Sequence, residues 1–134
     1  MAKILVIDDE RDIADLIKLV LELDQHQVRL VTEPEEALPA ALEFRPELVL
    51  LDVVMPRLDG YDVLRQLRAE TALAGLPVAF LTSKNKSVDF MVGLHLMKVD
   101  DYITKPFGKK DLLDRVRALL AKGPESASGP SSPV

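Results

Sequence analysis

The stretch LVLLDVVMPRLDGYDVL, residues 48–64, begins as an apolar strand and places one carboxylate, Asp52, inside the apolar run. Burying an ionised carboxylate without a partner is costly, or its pKa shifts until the group is neutral. Asp52 therefore has two explanations. It is either the first solvent-exposed residue after a buried strand, with Met55 and Pro56 starting a loop, or a functional group held at the strand end.

Short apolar runs alternate with amphipathic stretches along the chain. The pattern predicts strands at 3–8, 28–31, 48–52, 78–82 and 102–104, and helices at 11–24, 34–44, 60–70, 85–98 and 108–121. The longer strands are continuously apolar, as parallel strands covered on both faces are. We therefore predict a three-layer (βα)5 sandwich of the α/β class. Pro39 lies inside the second predicted helix, where we expect a kink or an early end.

Composition restricts the possible functions. The 134 residues, 48% of them hydrophobic, suit one domain over 1–122, and the Gly/Pro/Ser-rich segment 123–134 is predicted to be a disordered tail or linker. The chain has no cysteine, which excludes thiol chemistry, and its two histidines, His26 and His95, are expected at the surface. No apolar run is long enough to span a membrane, so we expect a cytoplasmic protein. The net charge of −5 argues against electrostatic binding of nucleic acid by this domain.

Polar residues end most of the predicted strands. They are Asp8, Asp9 and Glu10 after the first strand, Asp52 at the third, Thr82 and Ser83 at the fourth, and Lys105 at the fifth. Ligands bind beyond the carboxyl ends of parallel strands, so these residues are expected at one edge. Simpler roles exist for some of them, because Asp9 or Glu10 can cap a helix and Lys105–Pro106 can form a turn. Those roles do not explain why the polar residues share an edge.

The chemistry of this set suits a phosphoryl group and a metal ion. Carboxylates held close together repel unless a cation joins them. Oxygen ligands without cysteine or histidine suit Mg²⁺, which binds one or two carboxylates together with water and phosphate oxygens. A lysine and a threonine hydroxyl can balance phosphoryl charge, and a carboxylate can itself be the nucleophile. The set therefore predicts a Mg²⁺-dependent phosphoryl site.

Four motifs in this order, VIDDE, LVLLDVVMPRLDG, LTS and DDYITKPF, resemble the receiver domain of bacterial two-component response regulators over residues 3–121. The resemblance implies a flavodoxin-like, doubly wound parallel sheet of order 2-1-3-4-5. It also implies that the phosphoryl group comes from a phosphohistidine on a sensor histidine kinase or a histidine phosphotransfer protein. Such a domain is not an independent enzyme and assists only its own phosphorylation and autodephosphorylation.

The resemblance assigns roles to the residues at the predicted site. Asp52 would be the phosphoacceptor and a ligand of Mg²⁺. Asp9 would bind the ion directly, Asp8 through water, and Val54 through its backbone carbonyl. Lys105 would pair with the phosphoryl oxygens.

The resemblance also implies a switch. Thr82 would donate its hydroxyl to the phosphoryl group, and Tyr102 would turn inward as Thr82 moves. The face made by helix 85–98, the fifth strand and the fifth helix would then bind a protein target or form a self-dimer. The Lys105–Pro106 bond would be cis, and Gly60 is expected to permit a turn before the third helix.

Helix 11–24 carries an apolar arc wider than one buried face needs. We hypothesise that Ile13, Leu16 and Val20 help dock the helical bundle of the kinase. Packing on neighbouring helices is an equal alternative.

Three other functions compete with the receiver interpretation. An aspartate-nucleophile phosphohydrolase characteristically has a second Asp two residues after the nucleophile, where this chain has Val54. A phosphate-independent protein-interaction module would use the fold without the chemistry. The chain would equally serve as the receiver part of a truncated DNA-binding regulator, with 123–134 as a linker.

Overall fold

The computed structural model describes residues 2–53, 60–83 and 99–122, and its centre is one parallel sheet. The strands are β1 (Lys3–Ile7), β2 (Gln27–Val31), β3 (Leu48–Asp52), β4 (Val78–Ser83) and β5 (Asp101–Lys105). They are ordered β2-β1-β3-β4-β5, and every neighbouring pair is parallel. This confirms the predicted fold class and strand order.

Four α-helices lie within the described residues. They are α1 (Arg11–Leu23), α2 (Ala37–Phe44), α3 (Gly60–Ala69) and α4 (Lys109–Lys122), the last being the fifth predicted helix. The predicted helix 85–98 and the predicted tail 123–134 lie outside the described residues. Among the helices described, none combines the length and the apolar character that crossing a membrane requires.

Two apolar cores lie on opposite faces of the sheet. Helices α2 and α3 pack on one face, where Leu51 and Phe80 are fully buried. Helices α1 and α4 cover the other face, with Leu50 and Leu81. Because successive strand residues point to opposite faces, one apolar run such as that of β3 supplies both cores.

The break predicted at Pro39 does not occur there, because α2 continues through Pro39 to Phe44. A short 3₁₀ turn, Pro34–Glu36, precedes α2, and Pro39 is the third residue of α2. Backbone N–H groups in the first helical turn have no acceptor within the helix, so proline removes no hydrogen bond there. Pro39 is therefore accommodated at the start of α2.

Gly60 is needed for a close approach of backbones rather than for a turn conformation, which corrects the prediction. A Cβ atom at Gly60 would lie 2.6 Å from the carbonyl oxygen of Asp52 and 2.7 Å from Cα of Val53. The Gly60 N–H donates to the carbonyl of Val53 at 2.8 Å. The absence of a side chain lets α3 begin against the end of β3, beside Asp52.

The His26 side chain is mostly buried, contrary to the expectation that it lies at the surface. Its side chain is 8% exposed, and its Nε2 lies 3.3 Å from Oδ2 of Asp24. Its Nδ1 accepts the Ala2 N–H at 3.2 Å. The other histidine, His95, lies outside the described residues.

Candidate functional site

The carboxyl ends of β1, β3 and β5 bring three of the predicted site residues, Asp8, Asp52 and Lys105, to one edge of the sheet. Asp8 follows the last residue of β1 directly and is held there because its N–H donates to the carbonyl of Val31 at 3.0 Å. Asp52 is the last residue of β3 and Lys105 the last of β5. Asp8 is fully buried and Asp52 is 6% exposed. Asp52 is therefore not the first solvent-exposed residue after a strand, and the simpler explanation fails.

Lys105 is the cation at the centre of this edge. Its Nζ lies 2.9 Å from Oδ2 of Asp8, 2.9 Å from Oε1 of Glu10 and 3.5 Å from Oδ2 of Asp52. Burial alone would lower the pKa of Lys105, but the close contacts with the Glu10 and Asp8 carboxylates and the charge of Asp52 outweigh burial and raise the pKa to about 12. Lys105 is therefore positively charged at neutral pH.

The carboxylates beside Lys105 fit a divalent cation. One oxygen from each of Asp8, Glu10 and Asp52 can be chosen so that all three lie within 4.8 Å of one another. Oδ1 of Asp8 accepts the Glu10 N–H at 3.0 Å, whereas the buried Oδ2 makes an ion pair with Lys105 but no well-directed hydrogen bond. A buried carboxylate oxygen with spare acceptor capacity, in an oxygen-only set, is suited to a hard cation such as Mg²⁺.

The cluster does not test two of the predicted metal ligands. Asp9 is half-buried and is not among the three carboxylates that lie together. Val54 lies outside the described residues. The direct ligand role of Asp9 and the role of the Val54 carbonyl therefore stay predictions.

The two predicted switch residues lie on adjacent strands. Thr82 is 3% exposed near the end of β4, and Asp52 pairs in register with the residue before it, Leu81. Tyr102 pairs in register with Phe80 and packs, partly buried, against the core beneath α2 and α3. Burial raises the pKa of Tyr102, and the neighbouring Tyr61 adds to the shift. The Lys105–Pro106 peptide is cis, as the resemblance implied.

The three residues of the docking hypothesis differ in exposure. Leu16 is 48% exposed, and Ile13 is half-buried and packs against the core. Val20 is 7% exposed, so we correct the hypothesis: Val20 faces the core beneath α1, and a partner cannot contact it.

The sequence placed Glu10 among the polar strand ends, with a helix cap as its simpler role, but assigned it no function at the site, and the structure gives it a contact with Lys105. Glu10 is the residue before α1, but its side chain forms no capping hydrogen bond. Its carboxylate instead accepts a hydrogen bond from Lys105 at 2.9 Å. Glutamate is not among the residues favoured at this capping position, so the sequence itself indicated that Glu10 has a role other than capping.

Comparison with known proteins identifies a matching protein family and similar proteins of known name. The family model of the response regulator receiver domain matches residues 4–117. The DNA-binding response regulator MtrA of Mycobacterium tuberculosis strain H37Rv is 42% identical over 120 residues, which are 90% of this chain and 51% of MtrA. The alkaline phosphatase synthesis transcriptional regulatory protein PhoP of Bacillus subtilis strain 168 is 41% identical over 130 residues, 97% of this chain and 52% of PhoP.

A solved structure agrees with this result. The receiver domain of NtrX from Brucella abortus superposes with a TM-score of 0.80 at 31% identity, covering 88% of this chain and 98% of that one. The chain spans about half the length of the curated relatives it matches.

Proposed function

The chain belongs to the response regulator receiver domain family, and we propose that Asp52 accepts a phosphoryl group from a phosphohistidine on a sensor histidine kinase or a histidine phosphotransfer protein. The observation that carries the proposal is the buried Asp52 carboxylate 3.5 Å from the Lys105 ammonium. An Asp52 oxygen bonds to phosphorus while the bond from phosphorus to the histidine nitrogen breaks, and the imidazole leaves with the electron pair. The proposal includes a cytoplasmic location, as is typical of response regulators.

Lys105 and Thr82 would stabilise the charge of the transferred group. The Lys105 ammonium can pair with a phosphoryl oxygen, and the Thr82 hydroxyl can donate to another. Mg²⁺, when bound, would neutralise phosphoryl charge. Asp8, Asp9 and Asp52, with the carbonyl of Val54, are the residues proposed to hold it.

Phosphorylation would be read out on another surface. When the Thr82 hydroxyl engages the phosphoryl group, Tyr102 would turn inward, because the two residues lie on adjacent strands within two register positions. By the resemblance, the face affected would be the one formed by β5, α4 and the segment 85–98. A downstream protein or a second copy of the chain would bind there.

The first experiment measures intact mass after incubation with a small-molecule phosphodonor and Mg²⁺. We expect one phosphoryl adduct on the wild-type protein, none on Asp52→Asn, and none when EDTA removes the metal. Asp62→Asn, which changes an exposed carboxylate of α3, is the control and should keep the adduct. If folded wild-type protein takes up neither phosphate nor beryllofluoride, the receiver chemistry is refuted and a phosphate-independent interaction module becomes the leading function.

A second candidate concerns output. MtrA and PhoP are a DNA-binding and a transcriptional regulator, and this chain matches only about half of each. We therefore propose, as the alternative to a stand-alone relay, that this domain controls a DNA-binding domain in a longer protein. Sequencing the natural gene beyond the codon for Val134 tests this, and a stop codon there would contradict it.

A further inference from the structure

The Glu10 carboxylate joins two elements that are far apart in the chain. Glu10 precedes α1, and its Oε1 accepts a hydrogen bond from Nζ of Lys105, at the end of β5, at 2.9 Å. The Glu10 side chain is 60% exposed, whereas that of Lys105 is 14% exposed. Glu10 therefore reaches inward from solvent to a mostly buried cation.

The Lys105 ammonium has as many carboxylate neighbours as it has protons. An ammonium group carries three donors and no acceptor. Asp8, Glu10 and Asp52 each place an oxygen within 3.5 Å of Nζ. Of Asp8 and Glu10, only Glu10 accepts a well-directed hydrogen bond from Nζ. A phosphoryl oxygen that accepts a hydrogen bond from Nζ therefore competes with Glu10 for the ammonium protons.

Of the three contacts, the one with Glu10 costs the least free energy to break. Asp8 is fully buried, so its carboxylate would lose a charge partner without gaining water. Asp52 carries the incoming group itself. The Glu10 carboxylate is 60% exposed, so it can exchange Lys105 for water at a lower cost than the buried Asp8 carboxylate can.

We propose that Glu10 is a positioning residue. Its carboxylate holds the Lys105 ammonium until a phosphoryl group on Asp52 takes over that contact and displaces the Glu10 carboxylate. Glu10 thereby lowers the affinity of the unmodified site for the phosphoryl group. This inference rests on the proposed function, since it concerns the same site. The Glu10 carboxylate and the phosphoryl group compete for the Lys105 ammonium.

The test measures the dissociation constant for beryllofluoride, a phosphoryl mimic, at saturating Mg²⁺ by fluorine NMR. Glu10→Gln removes the charge at constant size. Glu10→Asp keeps the charge but shortens the side chain by one methylene, so we expect it to weaken the 2.9 Å contact with Lys105. We expect both variants to bind beryllofluoride about two- to five-fold more tightly than wild type, the scale of one ion pair whose carboxylate is exposed to water. Asp12→Asn, an exposed carboxylate in the first turn of α1, is the charge-matched control and should not change the constant.

A second measurement needs no metal and no phosphoryl mimic. Nitrogen–proton NMR of the lysine ammonium groups reports how slowly the Lys105 protons exchange with water. We expect faster exchange in Glu10→Gln and Glu10→Asp than in wild type and in Asp12→Asn.

The outcomes separate this inference from the proposed function. If wild-type protein binds no beryllofluoride, the proposed function fails and this inference fails with it. If wild type binds but Glu10→Asp behaves like wild type, or Asp12→Asn gains as much as Glu10→Gln, the effect is one of charge and only the positioning role is refuted. Unchanged Lys105 exchange in both Glu10 variants refutes it as well.

Discussion

At the residue scale, the backbone beside Asp52 leaves no space for a side chain at Gly60. Asp52 ends β3 while α3 begins at Gly60, and the two backbones are so close that a single methyl group would overlap them. Deformation there would move the Asp52 carboxylate relative to Lys105. The glycine therefore matters for the site although it carries no functional group.

Gly60→Ala tests this close approach. Its Cβ would meet backbone atoms of Asp52 and Val53, which cannot move aside as a flexible side chain can. We expect a loss of about 3 kcal/mol in the free energy of unfolding, at the upper end of typical overpacking. Urea denaturation measures it.

Gly108→Ala is the matched control for that substitution, because a Cβ at Gly108 would meet no atom within 4 Å. We expect it to cost at most about 1 kcal/mol, the scale of a changed residue at a helix start. Equal losses for the two variants would show that space at Gly60 is not the cause.

At the scale of elements, charged side chains connect α1 to α4 on the side away from the site. Asp24, after the end of α1, accepts two hydrogen bonds from Arg117 of α4, at 2.7 and 3.2 Å. The hydrogen bond from Arg117 lowers the pKa of Asp24, burial opposes this, and the charges of Arg117 and His26 add to the lowering. Asp24 therefore ties both helices of one layer together.

The lowered pKa of Asp24 predicts the pH dependence of its contribution. A carboxyl whose pKa is lower when folded stabilises the protein above its unfolded value, here near 3.8, and the stabilisation is lost as the pH falls from there through the folded pKa. Asp24→Asn should therefore lower the urea midpoint at pH 7 and approach wild type in acid. Thermal or urea unfolding from pH 7 to pH 3 measures it.

Asp114→Asn is the control for Asp24→Asn. Asp114 also has a lowered pKa, caused first by the hydrogen bond from Lys110, but that pair lies within α4 alone. We expect a smaller loss at pH 7, because no second element depends on it. A loss as large as that of Asp24→Asn would contradict the tie between helices.

At the scale of the whole molecule, the layered fold separates the proposed phosphoryl site from most of the surface. α1 starts at the site edge and runs away from it, so its residues lie at increasing distance from Asp52. Ile13 and Leu16 are in the near half, whereas Leu23 is the last residue and 66% exposed. A kinase that reaches Asp52 would contact the near half.

Leu16→Ala is expected to slow phosphoryl transfer from the partner kinase while sparing phosphorylation by a small-molecule donor. The exposed leucine would contribute to docking but not to the chemistry. Leu23→Ala removes an equally apolar, more exposed side chain at the far end of α1 and should change neither rate. Equal slowing with both donors, or equal effects of the two variants, would refute docking at Leu16.

Much of the fold can be predicted from the sequence. The predicted strands 48–52 and 78–82 match β3 and β4 within one residue, because strands buried on both faces must be continuously apolar. Asp52 is noticeable for the same reason, since a charge in such a run needs an explanation. The fold predictions failed at Pro39 because α2 begins later than the periodicity indicates. They failed at Gly60 and His26 because the environments of these residues depend on neighbouring elements.

The sequence by itself determined the α/β class, the number of strands and the polar strand ends, because these follow from local periodicity and from the cost of burying charge. Only the tertiary structure decided which carboxylates meet Lys105, that Glu10 is among them, and that Val20 is hidden. Those facts depend on contacts between β1, β3, β5 and α1, which are distant in sequence. No local pattern specifies the distances across such an edge.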